Sequence, residues 1–131
     1  MRRTARALVV VALVTGLVAV HAPPAAALFH LIKIREVYAG SADKPTSQFI
    51  ELQMYAANQA FLAGHSVTVY DASGAEVGSF TFTTAAANSA DQAYVLVATT
   101  DAQTEFGVTA DLVMTPVVTR GGGKVCFADD Q

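Results

Sequence analysis

The chain has 131 residues, a formal net charge of −3 at pH 7 and a single cysteine. This length suits one domain with one core, and a single cysteine excludes a small fold held together by internal disulfides. An acidic balance disfavours general electrostatic attraction to a phosphate backbone, so a nucleic-acid partner is not expected.

The first 27 residues follow the order of a secretory signal peptide. Three arginines lie within the first six residues, small and apolar residues fill 7–20, and 25–27 are three alanines. The apolar run is shorter than the roughly 20 residues that cross a bilayer, so a retained membrane anchor is the less favoured alternative. We therefore predict a secreted protein whose mature chain begins at Leu28 and has no membrane span.

The predicted mature chain, 28–131, carries 5 basic and 11 acidic residues, a net charge of −6. Its lone Cys126 is expected to be free, to bridge two molecules, or to pair with a cysteine beyond this sequence. We expect some disulfide-linked dimer through Cys126. Because the sequence stops at Gln131 directly after a predicted strand, we also expect a domain truncated at its C-terminus.

The first two predicted strands are alternating segments at 30–38 and 48–55. In the second, Ile50, Leu52 and Met54 share one face. Glu51 falls on the opposite face, which predicts a carboxylate directed toward solvent rather than into the core. A polar loop containing Gly and Pro joins the two strands.

Later strands are predicted at 66–70, 76–83, 92–99, 111–114 and 124–127. A turn containing Asp71 and Gly74 joins the third and fourth strands, and the apolar run at 92–99 is typical of a central strand. A short helix capped by Thr100 or Asp101 should end at Gly107. Seven short strands with one helical turn predict an all-β sandwich.

Two candidate catalytic or phosphate-binding motifs fail on spacing. The segment RGGGKV at 120–125 lacks the earlier glycine and the Ser or Thr after lysine that a Walker loop needs, so a tight turn is favoured. His65 and Ser66 are adjacent, and adjacent strand residues point to opposite faces, so they are not expected to form a nucleophile–base pair.

Metal sites receive little support from the sequence. His30 and His65 are the only histidines after the predicted cleavage site, fewer than a typical zinc site requires even if Cys126 joins them. Hard cations prefer loop carboxylates, which leaves a calcium-stabilised matrix protein as an alternative. The loop aspartates that it would use are Asp43, Asp91, Asp101, Asp129 and Asp130.

Glu36 and Glu51 are the candidate catalytic carboxylates. If their strands pair, the two side chains approach each other, as a glycosidase pair does at about 5–10 Å. A solvent-facing glutamate on a half-buried strand satisfies the same pattern, and no Trp is present to hold a sugar. The structural interpretation is favoured, and a carboxylate-dependent secreted hydrolase remains the alternative.

Six short motifs resemble those of bacterial, exported lamin-tail domains. They are IREVY at 34–38, FIEL at 49–52, LAG at 62–64, YVLV at 94–97, FG at 106–107 and GGKV at 122–125. The resemblance covers 29–127 and implies an immunoglobulin-like sandwich without catalytic residues, cofactor or metal. It further implies a binding module for a protein or cell-surface partner, with Glu36 and Glu51 in structural roles.

Overall fold

The computed structural model of this chain describes residues 29–128. These residues form seven strands and one helix: β1 Ile32–Tyr38, β2 Phe49–Met54, β3 Ser66–Asp71, β4 Glu76–Thr81, β5 Tyr94–Ala98, α1 Thr100–Phe106, β6 Leu112–Val113 and β7 Gly123–Phe127. The predicted signal peptide, together with Asp129 and Asp130, lies outside the described residues. Within 29–128, no helix is long and apolar enough to cross a membrane.

The strands form two sheets. Sheet A has the order β1-β2-β5-β6, and sheet B has the order β4-β3-β7. All neighbouring strands are antiparallel except β5 and β6, which run parallel. The predicted all-β sandwich is thereby confirmed, and the strand predicted to be central, β5, does lie between two others.

The core lies between the two sheets. Ile50, Leu52 and Met54 of β2 are completely buried, and they belong to one apolar cluster with Val67 and Val69 of β3. Alternation along each strand puts every second side chain into this layer. The strand faces predicted for β2 are therefore correct.

Five predicted strands are each two or three residues too long in total, and those at 66–70 and 124–127 are one residue too short. Some of the excess residues still bond the neighbouring strand, since Tyr55 N donates to Leu31 O and Phe82 N to His65 O, both at 2.9 Å.

The Thr99 side chain, predicted to continue β5, accepts a hydrogen bond from Ala102 N and caps α1. The cap predicted at Thr100 or Asp101 is therefore wrong by one or two residues. Gly107, in the left-handed region at φ 65°, ends the helix as predicted.

A β-bulge interrupts β1 at Arg35. Ile34 pairs with Leu52, but Glu36 pairs with Glu51, so Arg35 is an extra residue in the ladder. The simple alternation predicted for 30–38 therefore holds only as far as Ile34. Beyond the bulge, Tyr38 lies opposite Phe49, on the outer side of sheet A.

The glycine run before β7 forms a turn, as predicted. Gly122 and Gly123 both have positive φ. A Cβ at Gly123 would collide with the carbonyl oxygen of Tyr70 in the neighbouring strand. Glycine is needed here because the turn is left-handed and packs directly against another backbone.

Candidate binding face

The outer face of sheet B is rich in hydroxyl groups. Side chains on this face belong to Ser66, Thr68, Tyr70, Ser79, Thr81, Lys124 and Cys126. The hydroxyl oxygens of Ser66 and Thr81 lie 2.8 Å apart, and those of Thr68 and Ser79 lie 3.3 Å apart. The Ser66–Thr81 pair is exposed, whereas Thr68 at the middle of the face is buried and its hydroxyl is satisfied by Ser79.

The outer face of sheet A combines aromatic side chains with charged and amide groups. Register places Tyr38, Phe49, Tyr94 and Leu96 on the side opposite the buried Ile50. Tyr94 is 48% exposed, and Leu96 is half-buried. Because an outward position on such a sheet is usually polar, this concentration of apolar side chains points to a functional surface.

Three rings form a cluster at one end of this face. The centroid of Phe49 lies 5.2 Å from that of Tyr38 and 5.8 Å from that of Phe106, and Tyr38 and Phe106 are 5.9 Å apart. Phe106 is the last residue of α1, so the helix brings a third ring over the sheet. It remains 47% exposed.

A shallow hollow of about 270 Å³ adjoins the ring cluster. Its lining residues are Phe49, Glu51, Leu96, Ala98, Ala102, Phe106 and Val108. Glu51 is the only ionisable residue among them. This arrangement can accept an apolar side chain and offer one carboxylate to a neighbouring polar group.

Two cations lie over tyrosines along the outer side of sheet A. Arg35 Nη1 donates to Glu51 Oε1 at 3.0 Å, and its guanidinium lies 5.1 Å from the ring centroid of Tyr94. The hydrogen bond to Glu51, with a smaller contribution from Tyr94, raises the pKa of Arg35. Lys33 Nζ lies 5.7 Å from the Tyr55 ring centroid. These contacts hold both long side chains against the sheet.

Glu36 and Glu51 occupy directly opposed positions on β1 and β2. The predicted approach of their strands is therefore observed. However, Glu51 Oε1 is engaged by Arg35, and both glutamates lie on an open sheet face. Glu51 is half-buried, less exposed than alternation alone suggested, and it both pairs with Arg35 and lines the hollow.

The loop aspartates predicted as calcium ligands are only partly brought together. Asp43 and Asp101 border one depression with Glu105, whereas Asp91 is in the loop before β5. Lys44 forms a 3.0 Å ion pair with Glu105, and hydrogen bonds from Ser47 and Lys44 lower the pKa of Glu105. Within 29–128, no three His, Cys, Asp or Glu side chains are grouped as a metal site.

His65 is half-buried rather than a surface residue as predicted. Its ring packs against Phe29 with 3.6 Å between centroids, while the neighbouring Ser66 hydroxyl pairs with Thr81. The two side chains therefore have different surroundings, as expected for adjacent residues at the start of a strand.

Cys126 lies opposite Thr68 on the outer face of sheet B and is half-buried, as the sequence predicted. Val125 and Phe127 pack against the core instead. We expect Cys126 in the folded protein to react with a small maleimide, though more slowly than after denaturation. Mass spectrometry of the labelled product measures this, and a thiol that reacts only in denaturant would contradict the assignment.

Sequence reasoning did not identify the aromatic face. Its signal was present in β2 and β5, where Phe49 and Tyr94 occupy positions that alternate away from the core. The contributions of Tyr38 and Phe106 could not be seen, because one depends on the bulge at Arg35 and the other on where α1 packs.

Comparison of the chain with protein-family models, with curated proteins and with solved structures finds no match. The resemblance to lamin-tail domains, and the immunoglobulin-like topology that it implies, therefore stay predictions.

Proposed function

We propose that the protein is an exported, non-catalytic binding module that contacts a protein partner through the outer face of sheet A. The observation that carries this proposal is the ring cluster beside an apolar hollow, in which Phe106 is exposed while Tyr38 and Phe49 are half-buried. On the opposite outer face, on sheet B, hydroxyl pairs predominate, and Tyr70 is the one ring among the side chains named above.

The composition of this face suits a protein partner. Protein interfaces concentrate binding energy in Tyr, Trp and Arg side chains, and apolar patches with charged rims mark interaction sites. Here Tyr94 lies under Arg35, while Phe106 borders the hollow. An apolar side chain from the partner would fill the hollow and displace water from its walls.

The geometry favours binding over hydrolysis. In the hydrolase alternative, Glu36 and Glu51 would have to act on a sugar held between them. Arg35 instead occupies one oxygen of Glu51, and the hollow beside Glu51 is lined otherwise by apolar side chains. We therefore propose that these two glutamates position the Arg35 guanidinium and offset its positive charge on the outer face of sheet A.

Replacing Phe106 by Gln tests the proposed face. We expect labelled mature protein to bind saturably to cells of the producing strain, and protease treatment of those cells to abolish binding. Phe106→Gln should weaken binding about tenfold, which is about 1.4 kcal/mol. Titration followed by flow cytometry measures both effects.

Phe61→Gln is the matched control, because Phe61 is 54% exposed and is not among the residues that line the hollow. It should bind as the unmodified protein does. Equal binding by both variants, or binding that survives protease treatment, would contradict a protein partner on this face.

Export is tested separately by N-terminal sequencing of the product released from the cell. We expect Leu28 as its first residue, because 25–27 provide the small side chains that signal peptidase requires. A product that keeps Met1 and stays in the membrane would contradict the secretory prediction.

A further inference from the structure

A second cavity lies at the seam where β1 and β7, the edge strands of the two sheets, meet. Its volume is about 440 Å³, within the range of small-molecule sites. Six aliphatic side chains line its apolar part: Ile34, Val37, Ala39, Val69, Val118 and Val125. Val37 is 41% exposed, so this surface, continuous with the core, is open to solvent.

The polar end of the seam cavity is cationic. Arg120 and Lys124 are its only ionisable lining residues apart from Tyr70, and no carboxylate lines it. This contrasts with the described part of the chain as a whole, in which acidic residues outnumber basic ones. Between residues 29 and 128, the two ion pairs use Arg35 and Lys44, and neither involves Arg120 or Lys124.

The segment that carries these cations is fixed at both ends. Val118 N donates to Gln48 Oε1 at 2.8 Å, and Gln48 Nε2 donates to Val118 O at 3.0 Å. At the other end, Gly123 pairs with Asp71, and Lys124 Nζ lies 4.3 Å from the Tyr70 ring centroid. The backbone that carries both cations is therefore anchored, and Lys124 Nζ lies against Tyr70 before any ligand arrives, which lowers the entropic cost of binding.

We propose that the seam cavity binds a linear monocarboxylate with an apolar tail, such as a fatty acid. The carboxylate meets Arg120 and Lys124, and the tail lies along the aliphatic side chains. Arginine recognises carboxylates through parallel hydrogen bonds, and the apolar lining removes the tail from water. This site is separate from the aromatic face and does not depend on it.

A small amphiphile suits the seam better than an added β-strand from a partner. Strand addition needs an even run of free backbone groups along the edge. The bulge at Arg35 interrupts β1 in the middle of its length. Bulges of this kind are a common means of preventing edge pairing. The cavity therefore suits a ligand that binds without backbone hydrogen bonds to the edge strand.

Isothermal titration of the exported protein with decanoate, below its micellar concentration, tests the proposal. We expect saturable binding of one decanoate per chain, with decyltrimethylammonium binding at least tenfold more weakly because its charge is reversed. Hexanoate should bind more weakly than decanoate, since it buries less apolar surface. Equal affinities for the anionic and cationic probes, or no saturable binding of decanoate, would overturn the assignment.

Paired substitutions locate the site. Arg120→Gln with Lys124→Gln should weaken decanoate binding at least tenfold. Lys33→Gln with Lys44→Gln removes the same charge from residues outside the cavity and should leave the affinity within twofold. Val37→Ser, at an exposed edge position, should reduce the preference for decanoate over hexanoate. If the two double variants weaken decanoate binding equally, general charge attraction explains the binding, and the proposed site in the seam cavity is wrong.

Amide NMR shifts supply a readout independent of affinity. Decanoate should shift the resonances of 120–125 and Val69 most strongly, while those of Phe106 and Tyr94 stay unchanged. Shifts centred on the aromatic face would overturn the assignment to the seam.

Discussion

Ile50→Asp is expected to unfold the domain or to remove most of its stability. Ile50 is completely buried between the sheets, within the largest apolar cluster of the described residues. A carboxylate placed there has no cation to pair with and loses its hydration, at a cost of several kcal/mol. Small domains are stable by about 5–15 kcal/mol in total, so this single change is comparable with the whole. Urea unfolding followed by circular dichroism measures the loss.

Glu51→Gln is the matched control, one residue further along β2. Glu51 faces outward and keeps partial contact with water while it binds Arg35. Gln retains the volume of the side chain and can still accept from the guanidinium, so the urea midpoint should move only slightly. Similar losses in the two variants would mean that the strand faces are assigned wrongly.

The face assignment of β2 could be predicted because it depends on a local rule. Alternation alone separates Ile50 and Leu52 from Glu51, and the structure places them on opposite sides of sheet A. The same rule distinguished Val125 from Cys126 in β7. Wherever a strand keeps its register, neighbouring residues contain enough information to tell the core side from the outer side.

Both candidate sites escaped prediction because they depend on contacts between distant segments. Phe106 reaches Phe49 only after α1 folds back over sheet A. Val37 and Val125 line one cavity because β1 and β7 are neighbouring edges of two different sheets. A single sequence gives strand positions but does not reveal which edges meet, since that choice is made by packing of the whole chain.

Gln48 illustrates a second limit of prediction from sequence, which is that buried polar networks are not recognised. Alternation along 48–55 puts Gln48 on the same face as the buried Ile50, and its polar amide is 5% exposed there. The side chain joins three segments by donating to Pro45 O at 2.9 Å and exchanging two bonds with Val118. Its backbone N–H donates to Thr99 Oγ1, which also caps α1. Such a network becomes visible only once the loops are placed around it.

Gln48→Met is therefore expected to be among the most damaging substitutions outside the apolar core. Met fills a similar volume but cannot replace the amide's bonds, so Val118 N–H and the carbonyls of Pro45 and Val118 lose their partner. A buried polar group left without a partner costs about 1–3 kcal/mol, and at least two are affected. Urea unfolding should show a loss of several kcal/mol.

Gln53→Met separates this effect from the general consequence of losing an amide. Gln53 bonds Gln92 and Tyr94 on the exposed face of sheet A, where water can replace each partner. The free energy of unfolding of Gln53→Met should stay within about 0.5 kcal/mol of that of the unmodified protein. Because Gln48 also holds Val118 at the seam cavity, Gln48→Met should weaken decanoate binding even under conditions where the domain remains folded. If Gln48→Met keeps the same stability in urea as Gln53→Met, the loops around residue 48 must rearrange so that their polar groups find other partners. In that case the Gln48 network does not hold the seam cations in place.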